Sequence, residues 1–182
     1  MIRIENIVAG IDFRQPIDLK RVIAEISEYN VYMKAAFPGA IVKGVLTFLV
    51  FRNGKCVCVG AESAGHYTSE LEKFYRILVE KGIIEDRGFD AKIQNVVASG
   101  ELGFELDVEK VAATLERVIY EPGMFPAAIH YMDRPKVTML LFQSGRIVIT
   151  GAKSEEEVVE AYRNAIIKLG PMRLERAEAA TA

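Results

Sequence analysis

Leu49-Val50-Phe51-Arg52-Asn53-Gly54-Lys55 returns 91 residues later as Leu140-Leu141-Phe142-Gln143-Ser144-Gly145-Arg146. In each copy an apolar run ends on phenylalanine, a turn pair follows, and a basic residue opens the next apolar run. Other blocks return around it in the same order. Asn6-Ile7-Val8-Ala9-Gly10 becomes Asn95-Val96-Val97-Ala98-Ser99, and Ala36-Phe37-Pro38-Gly39-Ala40-Ile41 becomes Met124-Phe125-Pro126-Ala127-Ala128-Ile129. Gly60-Ala61-Glu62-Ser63 becomes Gly151-Ala152-Lys153-Ser154, and Phe74-Tyr75-Arg76 becomes Ala161-Tyr162-Arg163. Offsets between 87 and 91 residues mark a duplicated domain, because the period far exceeds the roughly 20–50 residues of a solenoid unit. The repeats are assigned to residues 1–90 and 91–182.

Each repeat has a readable order. Its opening strand carries Asn6-Ile7-Val8-Ala9 or Asn95-Val96-Val97-Ala98. Val108, Val111, Ala112 and Leu115 have the spacing of a helix face. Asn53-Gly54 predicts a tight hairpin, and Ser144-Gly145 holds the equivalent place. Ser154 with Glu157 predicts a capping box, followed by a helix buried through Val158, Ala161, Tyr162, Ala165, Ile166 and Leu169 and ended by Gly170. In the first repeat Ser69 and Glu72 predict the box, Leu71, Phe74, Tyr75, Leu78 and Val79 the face, and Gly82 the stop.

The strands at Val45–Phe51, Val137–Phe142, Cys56–Val59 and Ile147–Thr150 are apolar on both faces, the pattern of strands covered on both sides. Two helices per repeat can cover only one face. Either the repeats close face to face as a sandwich or barrel, or the second face meets a partner or ligand.

The chain has 182 residues, 51% apolar and 26% charged, which suits a globular protein. No apolar run approaches the roughly 18–20 residues of a membrane span, and MIRIENIVAG lacks the features of a signal peptide. Two cysteines, Cys56 and Cys58, make no disulfide framework, so an intracellular, reducing compartment is expected. The net charge of −2 argues against nucleic acid held by bulk positive charge, and leaves shape and apolar contact open. Cys56 and Cys58 alternate with the strand residues Val57 and Val59 and should be buried thiols. His66 and His130 have no ligand spacing, so no metal or cofactor is expected. There is no phosphate loop and no nucleophile elbow. The chain therefore reads as a non-enzyme.

The repeated blocks resemble the TATA-binding protein family in its short archaeal form. The resemblance rests on Asn-Ile/Val-Val-Ala at each repeat start, on Glu28-Tyr29-Asn30 and Tyr120-Glu121-Pro122 before Phe-Pro, and on Ile93-Gln94-Asn95 and Arg134-Pro135-Lys136. It rests also on the shared pattern Leu-x-Phe-x-x-Gly-Lys/Arg-x-Val-x-x-Gly-Ala-x-Ser. It covers residues 4–170. It implies an α+β fold, a duplicated saddle in which a curved antiparallel sheet of about ten strands lies beneath four helices on its convex face. The concave face would sit in the DNA minor groove; that mechanism comes with the resemblance and is not read from the residues.

By position, the resemblance gives Phe125 and Phe142 the role of a wedge pair in the second repeat, and Phe37 and Phe51 the same role in the first. Asn6 and Asn95 become the amides near the pseudo-dyad, where A·T pairs show only acceptors. Val8, Val97, Leu49, Leu140, Val57, Val148 and Thr150 become the apolar floor. Thr47, Thr138, Lys55 and Arg146 become backbone or groove-edge contacts.

The first repeat departs from the family. Phe37 and Phe51 lie 14 positions apart, against 17 for Phe125 and Phe142. The missing residues are placed at Arg134-Pro135-Lys136, read as the stirrup beside the DNA, so a shorter stirrup should hold the first pair differently. An ungapped alignment would instead set Lys34 against Phe125 and leave the first repeat without an outer wedge. Val59 stands opposite Thr150 in the repeat, and Lys43 and Tyr131 replace the family's arginines.

Two functions follow from the resemblance. One is a general initiation factor, nucleoid-associated in an archaeal cytoplasm, that bends A/T-rich promoter DNA and recruits transcription factor B, and through it RNA polymerase, by Tyr120, Glu121 and Pro122. Gly123 there replaces a second acidic residue. The other is a related regulator acting mainly through protein contacts, with weak DNA binding. An enzyme or ligand carrier using the apolar face as a pocket lacks any catalytic constellation. Without DNA, the concave face is open to homodimerisation.

Overall fold

The computed structural model describes residues 1–174; the frayed tail expected over 174–182 lies, Leu174 apart, outside the described residues. Among the described residues the elements run β1 (Ile2–Asp12), α1 (Leu19–Glu25), β2 (Asn30–Tyr32), β3 (Ala40–Lys43), β4 (Thr47–Val50), β5 (Lys55–Ala61) and α2 (Ala64–Glu80). Then come β6 (Asp90–Glu101), α3 (Val108–Thr114), β7 (Val118–Ile119), β8 (Ala127–Asp133), β9 (Lys136–Phe142), β10 (Arg146–Ala152), α4 (Glu155–Leu169) and a 3-10 turn (Gly170–Met172). The ten strands form one antiparallel sheet in the order β2-β3-β4-β5-β1-β6-β10-β9-β8-β7. An open sheet excludes the closed barrel. The chain divides into an N-terminal unit, Ile4–Val96, and a C-terminal unit, Met1–Arg3 with the described residues from Val97.

In the N-terminal unit, strand alternation sorts side chains cleanly. Ile7, Ala9, Ile11, Phe48, Val50, Cys56 and Cys58 are buried, and the residues between them are half-exposed. The buried set packs with helix α2, whose Tyr67, Leu71, Phe74 and Leu78 are buried. Phe74 stacks on Phe48 with centroids 4.4 Å apart, and Tyr29 meets both rings edge-on. Both thiols face this core as expected, and burial pushes Cys58 up to about 12 and Cys56 higher still, so neither is a nucleophile near neutral pH.

One local expectation needs correction, and one that holds, the tight hairpin, gains its loop length. Helix α2 begins at Ala64 and not after Ser69, because Ser63 is the cap; its hydroxyl accepts from the His66 N–H at 3.1 Å. The hairpin at Asn53-Gly54 is a three-residue loop. Gly54 lies in the left-handed region at φ +84°, its N–H donates to the Phe51 carbonyl, and Lys55 N–H is taken by Asn53 Oδ1.

The C-terminal unit repeats the scheme. Val137, Met139, Leu141, Ile147 and Ile149 are buried and alternate with half-exposed residues. Val158, Ala161, Ala165 and Leu169 of α4 cover them. Ser154 caps α4 by accepting from the Glu157 N–H, while the Glu157 carboxylate reaches back to the Lys153 N–H at 2.7 Å, one residue beyond the cap. Gly170 ends α4 by passing into the 3-10 turn, at φ −50°.

His130 on β8 is 5% exposed, and neither ring nitrogen has a partner within hydrogen-bond geometry; the nearby Arg117 carbonyl already accepts from Tyr131 N–H. Burial first, and then the charge of Lys168, hold its pKa below the usual imidazole value. The unfolded chain therefore takes up the proton first as pH falls. The stability from neutral His130 is complete above about pH 6.5 and is lost below it. Thermal melts at pH 7 and pH 5 should show a fall in Tm that His130→Leu reduces; an equal fall in both proteins contradicts this reading.

Candidate nucleic-acid interface

The strand residues that alternate with the buried core of each unit form the uncovered sheet face, most of them half-exposed. In the N-terminal unit, register places Ile41 opposite Leu49, Leu49 opposite Val57, and Val57 opposite Gly10. A second row runs Lys43, Thr47, Val59, Val8. In the C-terminal unit the rows are Ile129, Leu140, Val148 and Tyr131, Thr138, Thr150. Leu49, Leu140, Val57, Val148, Val8 and Thr150 thus come together as two apolar floors. Thr47 and Thr138 sit within the second rows rather than at an edge. Asn95 and Val97 lie half-exposed on β6, alternating with the buried Val96 and Ala98. Lys55 and Arg146 are the exposed first residues of β5 and β10.

Register also decides the alignment. Ile41 faces Leu49 as Ile129 faces Leu140, so Phe37 corresponds to Phe125 and both units carry the aromatic pair. The rings stand 5.5 Å apart for Phe37 and Phe51 and 6.3 Å apart for Phe125 and Phe142, at interplanar angles of 58° and 63°. A Cβ on Gly39 would stand 3.0 Å from Phe37 and 3.2 Å from Phe51; Ala127 occupies that position in the second pair, which is the wider one.

The expectation that a shortened loop would hold the first pair differently is not met. The missing residues fall at residues 44–46, the tip of the β3–β4 hairpin, while Phe37 and Phe51 flank the other end of those strands. In the longer β8–β9 hairpin the tip is Arg134-Pro135, with a cis peptide bond. The matched Glu28-Tyr29-Asn30 and Tyr120-Glu121-Pro122 are also not equivalent in space. Val31 faces Val42 where Val118 faces His130, so Tyr29 precedes its short strand and Tyr120 follows its own.

Both pairs rest on fixed backbone. After Phe51, Arg52 and Gly54 carbonyls accept from Ile17 and Phe13 N–H groups at 2.9 and 3.0 Å. After Phe142, Gln143 and Gly145 carbonyls accept from Leu106 and Leu102 N–H groups at 2.8 Å each. The Glu121 carbonyl accepts from both Met124 and Phe125 N–H groups at 2.9 Å, so the turn through Tyr120, Glu121 and Pro122 seats Phe125. Glu121, Pro122 and Met124 are exposed, and Phe125 is 40% exposed.

Sequence reasoning missed Gly60 and Gly151, at φ +103° and +94°. Ile7 pairs with Ala61 and Val8 with Val59, so Gly60 is the extra residue of a β-bulge. A lone glycine inside an apolar strand was the available signal.

Among the described residues no group of three His, Cys, Asp or Glu side chains could hold a metal, and no helix is long and apolar enough to cross a membrane. The fold and face define a duplicated α+β protein with an uncovered apolar sheet surface bounded in each unit by an aromatic pair. The family model described as transcription factor TFIID, or TATA-binding protein, matches residues 1–81 and again 90–171. A TATA-box-binding protein of Pyrodictium occultum is 42% identical over 175 residues, covering 93% of this chain and 86% of the relative. One from Thermococcus sibiricus is 38% identical, covering 98% and 97%. The solved structure of Methanococcus jannaschii TBP superposes with a TM-score of 0.82 at 34% identity, covering 93% of this chain and 98% of that one. The chain belongs to the TATA-binding protein family, whose members are transcription factors and not enzymes.

Proposed function

We propose that this chain is a general transcription initiation factor that binds A/T-rich promoter DNA in the minor groove, bends it, and recruits transcription factor B and through it RNA polymerase. The observation that carries this reading is the aromatic pair at the same register in both units, each beside a largely apolar floor, with Lys43 at the end of one row in the N-terminal unit. Apolar floors tolerate A·T and T·A alike, and the guanine amino group obstructs such contact. Aromatic edges replace the base stacking lost at a kink. Phe37, Phe51, Phe125 and Phe142 are assigned to wedging, and Val8, Val57, Val97, Val148, Leu49, Leu140 and Thr150 to the floor. Thr47 and Thr138 are assigned to groove contacts from within the second rows, Lys55 and Arg146 to the flanks, and Asn6 and Asn95 to base edges. Tyr120, Glu121 and Pro122 are assigned to transcription factor B. Each repeat, 1–90 and 91–182, would serve one half of the site.

The regulator reading leaned on the altered first repeat, and the alteration lies at a hairpin tip away from the phenylalanines. The test is an equilibrium binding assay with a TATA-like duplex and a G·C-substituted control, each with and without transcription factor B. A/T-dependent complexes that factor B tightens are expected. Absence of binding at moderate salt, even with factor B, would leave the regulator.

The two floors differ at Lys43 against Tyr131, at the end of a row, and by a single side-chain atom at Val59 against Thr150. A hydroxyl can donate to adenine N3 or thymine O2, and a neutral hydrogen bond contributes about 0.5–1.5 kcal/mol, or roughly 2- to 12-fold in affinity. Val59→Thr should tighten binding to the A/T duplex within that range and Thr150→Val should weaken it, with unchanged Tm. Opposite signs in titrations of the two near-isosteric variants would remove Thr150 from the interface.

A further inference from the structure

The β-bulge at Gly60 leaves a strand N–H without a place in the β1–β5 ladder, since Ile7 pairs with Ala61 and Val8 with Val59. That N–H donates to Asn6 Oδ1 at 2.8 Å. A backbone N–H can be answered only by the amide oxygen, so the Asn6 side chain has one orientation, with its NH2 group directed away from the bulge. Gly60 sits at φ +103°, a conformation that glycine adopts without strain. The bulge, the glycine and the amide form one device.

We propose that the Gly60 N–H locks Asn6 as a donor-only reader, and that this lock, not the amide alone, makes Asn6 reject guanine. The inference rests on the minor-groove reading above. An unrestrained asparagine can rotate its amide by 180° and offer either an oxygen or an NH2 group. It would then accept from the guanine N2 amino group as readily as it donates to adenine N3 or thymine O2, and would discriminate little. With the oxygen held by Gly60, only the NH2 group remains for the groove. It fits the acceptors of an A·T pair and opposes the guanine amino donor. Asn6 is thus a specificity residue, and Gly60 is the positioning residue that gives it its sign.

Asn6→Asp tests the lock without removing it. A carboxylate still accepts from the Gly60 N–H but presents an acceptor where the NH2 group stood. Asn6→Ala removes both functions. The Gly60 amide, followed by NMR hydrogen exchange in the DNA-free protein, should stay protected in the wild type and in Asn6→Asp and lose protection at least tenfold in Asn6→Ala. Binding is then measured on a TATA-like duplex and on duplexes carrying a single G·C pair at each central step in turn. The ratio of the two affinities cancels the general repulsion between an added carboxylate and phosphates.

The wild type should prefer the A·T duplex by about tenfold or more at the step that Asn6 reads. In Asn6→Asp the ratio at that step should fall to near one or invert, with Asn6→Ala between the two. Equal ratios for the aspartate and alanine variants, or Gly60 exchange unaffected by Asn6→Ala, would overturn the proposal while leaving the DNA-binding reading intact. Failure of the wild type to bind the TATA-like duplex would overturn both.

Discussion

Replacing Phe125 and Phe142 together with alanine should abolish measurable binding to A/T-rich DNA while leaving the fold in place. Phe125 is already 40% exposed, Phe142 is half-exposed, and the buried core of the C-terminal unit lies on the other face of the sheet, in Met139, Leu141, Ile147 and Ile149. Each aromatic that replaces a base-stacking partner contributes about 1–3 kcal/mol, so the pair is worth roughly a hundredfold or more in affinity. The corresponding change at Phe37 and Phe51 should cost a similar factor, since the two pairs share register and tilt. Fluorescence anisotropy with a labelled duplex, beside circular dichroism melts, separates affinity from folding. A double variant within threefold of the wild type would show that the rings are not wedges.

The second large effect is on stability. Gly54 is buried at φ +84°, and a Cβ there would lie on the Gln15 carbonyl, 2.9 Å from its carbon. Gly145 is in the same position relative to Phe104, at φ +85° and 3.1 Å. The close approach exists because the turn after each phenylalanine is stapled to the loop after the opening strand, through Phe13 N–H to Gly54 O and Leu102 N–H to Gly145 O. Gly54→Ala combines left-handed strain with a backbone collision that no side-chain rotation relieves. About 3 kcal/mol or more should be lost, or roughly 6–12 °C in Tm for a chain of this size. Gly145→Ala should behave alike. A Tm within 2 °C of the wild type would mean that the staple is not rigid.

The duplication, the strand and helix order and the face assignment were legible because strand period and turn chemistry are local. Cys56, Val57 and Cys58 alternate as written, and Leu49 and Val57 share a face because the hairpin holds register. What was not legible depended on tertiary context. Ser69 and Glu72 have the spacing of a capping box, yet Ser63 caps α2 because Tyr67 and Leu71 are needed over the strands. Asn53-Gly54 signalled the tight turn that forms, but not that three residues loop out, with Gly54 N–H donating to the Phe51 carbonyl and Gly54 O accepting from Phe13 N–H. The place of the missing residues was ambiguous in the sequence because a gapped alignment matched Phe37 to Phe125 while an ungapped one kept Tyr29 with Tyr120 and Phe51 with Phe142 at equal spacing. Strand pairing of Ile41 with Leu49 resolved it. The bulge at Gly60 left only a single glycine as its trace, and the aim of Asn6 left none.

The most direct measurement is the end-to-end distance of a TATA-like duplex, read by energy transfer between dyes at its termini as the wild-type protein is added. A marked shortening is expected that saturates with binding, is absent on a G·C-substituted duplex, and disappears when Phe125 and Phe142 are both alanine. A saturating complex with no shortening, or equal shortening on both duplexes, would contradict the proposed bending of A/T-rich DNA.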